Sequence, residues 1–264
     1  MAHVPRVALV TGGTRGFGRG IAFRLAADGM DCAITYRTRA DLAREVVAQV
    51  EALGRRSLAV PLALEEPAQV PGAVAKIVET FGSVDVLVAN AAATAFRPML
   101  EQKPHNVEKT LAISVQSFVA AVQEAAPHMA DGGRIVVVSG IDSHQAMAGH
   151  GVLGAAKAAM ESLVRILALE LGPHGITVNA VSPGLVDTDS SRLYVEKALG
   201  RAWEGAAARM IAATPVRRLG TVEDVASLVA YLASPAAGFL TGQTILLDGG
   251  LTIVSPFQRI VDAP

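Results

Sequence analysis

Cysteine is nearly absent from this chain of 264 residues, Cys32 being its one representative. An intrachain disulfide and a cysteine-based zinc site are thereby excluded, and a lone thiol inside the apolar run 32–36 is of the inert, buried kind. Long apolar runs are missing as well. Mean hydropathy is +0.40, yet no stretch approaches the roughly 18 uninterrupted apolar residues of a membrane-spanning helix, so the apolar excess belongs to a core and no membrane partner is expected. Nor does one sign of charge dominate. Lys plus Arg (23) nearly balances Asp plus Glu (24), which leaves no net field to gather nucleic acid or an anionic membrane surface. Internal repeats, low-complexity tracts and linkers are lacking too, so a single domain spanning 1–264 is expected. Without a charged leader or an apolar segment after Met1, the expected location is the cytoplasm.

What is present is apolar patterning. With 51% hydrophobic and 18% charged residues the chain can build a large packed core. Short β-branched apolar runs lie at 7–10, 32–36, 57–61, 84–89, 134–139, 177–181 and 244–247, with helix-length amphipathic segments between them. Strands apolar on both faces and separated by helices predict an α/β fold: a doubly wound, seven-stranded parallel sheet covered by helices on both sides. Helix stops are expected at Gly29, Gly54, Gly82, Gly132-Gly133 and 172–175. The region 185–215 departs from the pattern. It follows a strand directly, is rich in small and charged residues and holds Tyr194 and Trp203, which suits a helical flap over the carboxyl edge of the sheet. Few apolar anchors are expected in that flap, and mobility with it.

The first strand runs into Thr11-Gly12-Gly13-Thr14-Arg15-Gly16-Phe17-Gly18 and then a helix. Glycines at 12, 16 and 18 permit a tight turn and close approach of a pyrophosphate to backbone amides, beside the positive end of a helix. Further along come Asn90-Ala91-Ala92, Lys157 on a long helix, Asn179-Ala180-Val181-Ser182-Pro183-Gly184 with Thr188 beyond it, Gly242-Gln243 and Asp248-Gly249-Gly250. Taken in this order, the motifs resemble the short-chain dehydrogenase/reductase family over nearly the whole chain. That resemblance implies a Rossmann-like fold and a nicotinamide coenzyme. It assigns Gly12, Thr14, Arg15, Gly16, Phe17, Gly18, Leu64, Asn90, Ala91, Pro183 and Gly184 to the coenzyme, Val186 and Thr188 to the nicotinamide carboxamide, and Lys157 to the nicotinamide ribose. It also implies that the helical regions 111–129 and 152–171, apolar well beyond one face, pair with another subunit in a dimer or tetramer.

Charge at the end of the second strand argues the coenzyme. An acidic residue there would bind a free ribose 2′-hydroxyl and repel a 2′-phosphate. Here the strand ends Thr35-Tyr36-Arg37-Thr38-Arg39 with Arg15 nearby, so NADP(H) is expected, the alternative being a merely solvated basic face. Where the family usually has an Asp against the adenine, this chain has Ala63.

The family's acid is the departure. Its tyrosine stands four residues before the lysine, and that position is Leu153; its serine position is Gly140, with Ser139 adjacent; its helix asparagine is replaced by Ser114. Locally the chain resembles the NADPH-linked enoyl-acyl-carrier-protein reductases, which space tyrosine and lysine differently and in whose register the tyrosine position is His150. Placed on one helical stripe with Leu153 and Lys157, a neutral His150 offers a donor; the other possibility is that it caps the helix entrance or points to solvent. Only three tyrosines exist, and of these Tyr194 alone lies in the flap. Asp142, Ser143 and His144 are further polar candidates, but a hydrolase is not favoured, since no G-x-S-x-G elbow accompanies them. Conjugate reduction tolerates loss of the phenol best, because a delocalised enolate needs a hydrogen-bond donor more than a proton. The expected activity is therefore an NADPH-dependent reductase of an activated enoyl or conjugated carbonyl substrate, a small molecule or an acyl thioester. A ketoreductase using Tyr194 or a substrate hydroxyl, and a coenzyme-binding protein without turnover, are the alternatives.

Overall fold

A computed structural model of the chain describes residues 5–130 and 132–255. Seven parallel strands, β1 (Val7–Val10), β2 (Asp31–Tyr36), β3 (Ser57–Pro61), β4 (Val86–Ala89), β5 (Arg134–Val138), β6 (Thr177–Pro183) and β7 (Thr244–Leu247), form one sheet in the order β3-β2-β1-β4-β5-β6-β7. Strands β1, β4, β5 and β6 are buried at every residue, which is why they read as unbroken apolar runs rather than as alternations. Two cores result. On one face, α1 (Gly16–Ala27), α2 (Ala40–Ala52) and α9 (Val222–Ala233) pack through Ile21, Leu25, Val46 and Val229. On the other, α3 (Val70–Phe81), α5 (Ser117–Ala125) and α6 (Gly151–Leu171) pack through Ile77, Phe118, Met160 and Val164.

The strand order reverses between β1 and β4, and in such sheets the crevice at that reversal, beyond the carboxyl ends, is where ligands bind. Strand boundaries differ slightly from the sequence pattern: β4 begins at Val86 rather than Val84, and β6 continues through Pro183. The helical region expected over 111–129 is not one helix. It divides into α4 (Pro104–Leu111), a π turn over 112–116 and α5, because the Ser117 hydroxyl takes up the Ala112 carbonyl at 2.9 Å while also reaching Leu64 O at 2.6 Å; Pro127 in the following turn ends the run.

The flap consists of α7 (Asp189–Leu193), a π turn over 194–198 and α8 (Trp203–Ala213). The expectation of few apolar anchors is corrected here. Tyr194, Val195, Trp203 and Ala207 are all buried and pack against Phe96, Met147, Leu185 and Leu219. Composition missed this because four well-spaced anchors suffice when the opposing surface is itself apolar. Among the described residues, no helix is long and apolar enough to cross a membrane.

Candidate active site

The glycine turn is tied to the β4 end by two side chains. Asn90 Nδ2 donates to Thr11 O at 2.9 Å and to Gly12 O at 3.3 Å, while Thr11 Oγ1 accepts from the backbone N–H groups of Asn90 and Ala91. Gly12 and Gly16 have φ of 68° and 50°, and a Cβ at Gly18 would lie 2.2 Å from Gly12 O, so the turn closes only without side chains there. Helix α1 then starts with no side-chain cap and no acid in its first turn. Its amides and partial positive charge suit a pyrophosphate, so the residues present fit a dinucleotide. Arg15 and Gly16 are exposed at the mouth of the turn, with Thr14 half-buried beside them, while Phe17 packs into the core beneath.

Arg37 and Thr38 lie exposed at the end of β2, where the sequence placed them. A carboxylate that sequence reasoning missed also stands there: Glu65 Oε1 pairs with Arg37 at 2.5 Å and lies 3.9 Å from Lys109 Nζ. Arg39 pairs with Asp41 at 2.5 Å, whereas none of the ion pairs among the described residues includes Arg15. Leu64 is buried and anchors α5 through its carbonyl. The sequence signal for Glu65 was its place just after β3, the neighbour of β2. On the nicotinamide side, Pro183 ends β6, Gly184 N donates to Leu247 O at 3.0 Å, and Val186 bridges to Gly220 at the flap hinge. Thr188 caps α7, its hydroxyl accepting from Ser191 N at 3.2 Å.

Lys157 is buried on α6 and donates to Val138 O at 2.5 Å. Burial pushes its ammonium down to about 8, against the raising effect of the Asp142 and Glu161 carboxylates. Ser139 stands beside the β5 end, and its hydroxyl gives its hydrogen to buried Glu161 at 2.5 Å. Glu161 also accepts from Ser143 Oγ at 2.7 Å and pairs with His144 Nε2 at 2.9 Å. This carboxylate went unnoticed in the sequence, although it lies four residues after Lys157 on the same helical face.

His150 is not on the α6 stripe. The helix begins at Gly151, and His150 occupies the N-cap position with φ −95° and ψ 3° and no side-chain cap bond. Its ring does not point to solvent either. Nδ1 lies 2.9 Å from Asp142 Oδ2, with side-chain exposures of 13% and 7%. One face stacks on Phe96 at 4.9 Å, and Tyr194 meets the ring edge-on at 4.2 Å. Nε2 is buried and has no partner among the described residues. Because an ionised carboxylate only accepts, the Nδ1 hydrogen goes to Asp142. A neutral His150 therefore has no hydrogen left to donate from Nε2, which corrects the expectation of a neutral donor. Tyr194 is likewise committed: its hydroxyl donates to Ala148 O at 2.8 Å, and burial, with the Asp142 charge, raises its pKa. The dyad borders a hollow of about 450 Å³ lined also by Met99, His144 and Met147. Among the described residues no group of three or more His, Cys, Asp or Glu is placed to hold a metal ion.

The seven-stranded order, the turn at Gly12–Gly18 and the lysine on α6 together define a nicotinamide-dependent oxidoreductase site. The chain belongs to the short-chain dehydrogenase/reductase family. Residues 12–252 match the family profile described as enoyl-(acyl carrier protein) reductase. Among curated relatives, a 1-cyclohexenylcarbonyl-CoA reductase of Streptomyces collinus is 39% identical over 95% of this chain and 88% of that protein. An L-rhamnose 1-dehydrogenase (NAD(P)(+)) of Sphingomonas sp. SKA58 is 37% identical over 94% and 96%. Among solved structures, a short-chain dehydrogenase from Burkholderia cenocepacia J2315 in complex with NADP superimposes with a TM-score of 0.86, at 37% identity over 94% of this chain and 99% of that one. A blue fluorescent protein from a metagenomic library, in complex with NADPH, also gives 0.86 at 37% identity, over 93% and 97%.

Proposed function

We propose that this oxidoreductase is an NADPH-dependent reductase of an activated enoyl or conjugated carbonyl compound, with an acyl thioester as the favoured substrate class. The observation that carries this is the environment of His150: in a site without the family's tyrosine, it is a buried ring with a fixed Nδ1 partner and an unpartnered Nε2. The similarity to a protein named as an enoyl-thioester reductase supports the substrate class. Arg15, Arg37 and Arg39, and the NADP and NADPH complexes of two similar structures, support the coenzyme.

NADPH, when bound, supplies the hydride. The glycine turn and the α1 amides hold the pyrophosphate, Arg37 with Arg15 meets the 2′-phosphate, and Lys157 holds the nicotinamide ribose. On this reading His150 Nε2 would meet the substrate carbonyl, whose oxygen gathers charge as the double bond is reduced, and a hydrogen-bond donor there would stabilise that charge. Water then protonates the α-carbon. A second activity is carried by one comparison, the relative named as a sugar dehydrogenase. It requires a proton-transferring acid, and Tyr194, bonded to Ala148 O, is poorly placed for that. NADPH absorbance separates the two: its loss with cyclohex-1-enecarbonyl-CoA or crotonyl-CoA, with no loss on simple ketones and no gain from NADP+ plus L-rhamnose, supports enoyl reduction, and the reverse pattern rejects it.

We propose in addition that the chain assembles as a dimer or tetramer through α6, where Ile166 and Leu169 are 44% and 72% exposed. Sedimentation as a 27.3 kDa monomer at micromolar concentration would reject this.

A further inference from the structure

We infer that Asp142 is a positioning residue that takes the space of the family's serine and fixes His150, so that the group meeting the substrate oxygen is the Nε2–H of a doubly protonated imidazole ring. The inference rests on the enoyl-reductase proposal above for its substrate, and on space and hydrogen bonding for the rest. A Cβ built at Gly140 would lie 2.6 Å from Asp142 Oδ1, and one built at Gly154 would lie 2.3 Å from Asp142 O. The turn Ile141–Ser143 thus sits drawn in against both the β5 end and α6, and it can do so only because both positions lack side chains. Gly140 is therefore more than a lost serine: it makes room for a carboxylate at the same place.

The turn is held from behind. Ser143 Oγ shares its hydrogen between Gly140 O at 2.8 Å and Glu161 Oε1 at 2.7 Å, and Glu161 Oε2 pairs with His144. Asp142 in turn holds the ring through Nδ1, while Phe96 and Tyr194 confine its face and edge. Only Nε2 is left without a partner, and a buried polar nitrogen left unpaired is costly unless a ligand completes it. The chemistry of the missing partner follows from the ring. With Nδ1–H given to Asp142, a neutral ring presents a lone pair and would repel an enolate oxygen. A cationic ring presents a hydrogen and a positive charge. The Asp142 carboxylate is the counter-ion in direct contact; Lys157 on α6 and Tyr194 on the flap feel the same carboxylate, Tyr194 meets the ring, and His144 lines the same hollow. Asp142 touches neither substrate nor coenzyme in this arrangement and acts through His150 alone.

Two variants and one spectrum test the inference. In histidine-¹⁵N-labelled unmodified protein, the neutral ring of His150 is expected to carry its hydrogen on Nδ1. In Asp142→Ala that hydrogen moves to Nε2, and kcat for the enoyl thioester falls about 10²-fold, the usual loss of one oriented oxyanion donor, with NADPH Kd unchanged within about twofold. Gly140→Ser restores the family's serine and is expected to lower kcat comparably by displacing the Asp142 carboxylate. A neutral ring carrying its single hydrogen on Nε2 in the unmodified protein, or a spectrum indifferent to Asp142→Ala, overturns the inference whatever the activity. Full activity of both variants beside an inactive His150→Phe overturns the positioning role while leaving the enoyl-reductase proposal standing. If no thioester is turned over at all, that proposal fails, and the spectrum still decides the Asp142–His150 arrangement.

Discussion

The two ends of the sheet's carboxyl edge are built on different principles. Around β1, β2 and β4 the edge is shaped mainly by backbone: a glycine turn in which a Cβ at Gly18 would lie 2.2 Å from Gly12 O, open helix amides, and Asn90 serving as a brace. Around β5, α6 and the flap the site is made of side chains, and the positions of the family's serine and tyrosine hold Gly140 and Leu153 while Lys157 stays. A backbone site tolerates little variation, because an added Cβ collides at Gly13 and Gly18 and is strained by positive φ at Gly12 and Gly16. A side-chain site can be rebuilt, provided the new groups find partners, as Asp142 and His150 do for each other.

The largest expected effect breaks the rebuilt half alone. His150→Phe is expected to lower the rate by about 10² to 10³, the usual cost of one oxyanion donor, with NADPH affinity intact by fluorescence titration; an active variant would remove His150 from the mechanism. Arg37→Asp should do the converse. It removes a charge-assisted contact of about 1.5–3 kcal/mol, so NADPH affinity drops roughly 10- to 100-fold while NADH binding changes little. Equal affinities for the two coenzymes in the unmodified protein would refute the assignment.

Lys157 joins the halves, and its protonation sharpens the contrast. Below about pH 8 the buried amine is cationic and above it is neutral, because burial has lowered its pKa to about 8. Coenzyme affinity should therefore be full at pH 7 and weaken by up to about tenfold by pH 9, where about a tenth of the amine stays charged. Lys157→Ala should bind weakly at both pH values and turn over slowly; an unmodified protein with flat affinity across this range would contradict a charge role. The smallest effect is expected at Tyr194→Phe. Loss of the bond to Ala148 O should cost about 1 kcal/mol in thermal unfolding and hardly change turnover; a dead variant would transfer the acid to the flap.

The sheet, its strand order class and the coenzyme turn were legible in the chain because each rests on local signals: apolar runs, glycine spacing, the strand-to-helix position of the turn. Glu65 and Glu161 were not. Their partners, Arg37 on the neighbouring strand and Ser139 at the β5 end, come from distant segments, and only strand order brings them together. His150 was legible as a residue, with its place on the α6 stripe or at the helix entrance left open; the structure puts it at the entrance, and its contact with Asp142 comes from a separate turn that no spacing within the helix reveals. The flap was misjudged because Trp203 and Tyr194 count for more than the small residues around them.

The Arg37–Glu65 pair has a consequence for ionic strength. The guanidinium is already matched to a carboxylate at 2.5 Å with only partial burial, so a phosphate arriving at Arg37 displaces one anion with another. Salt screens the old pair and the new one together, and at about 0.15 M the screening length is roughly 8 Å. Preference for a phosphorylated over an unphosphorylated coenzyme, set at this position by an exchange of anions, then falls less steeply with salt than it would for a bare arginine. Replacing Glu65 with Gln would give the steeper dependence, together with tighter binding at low salt.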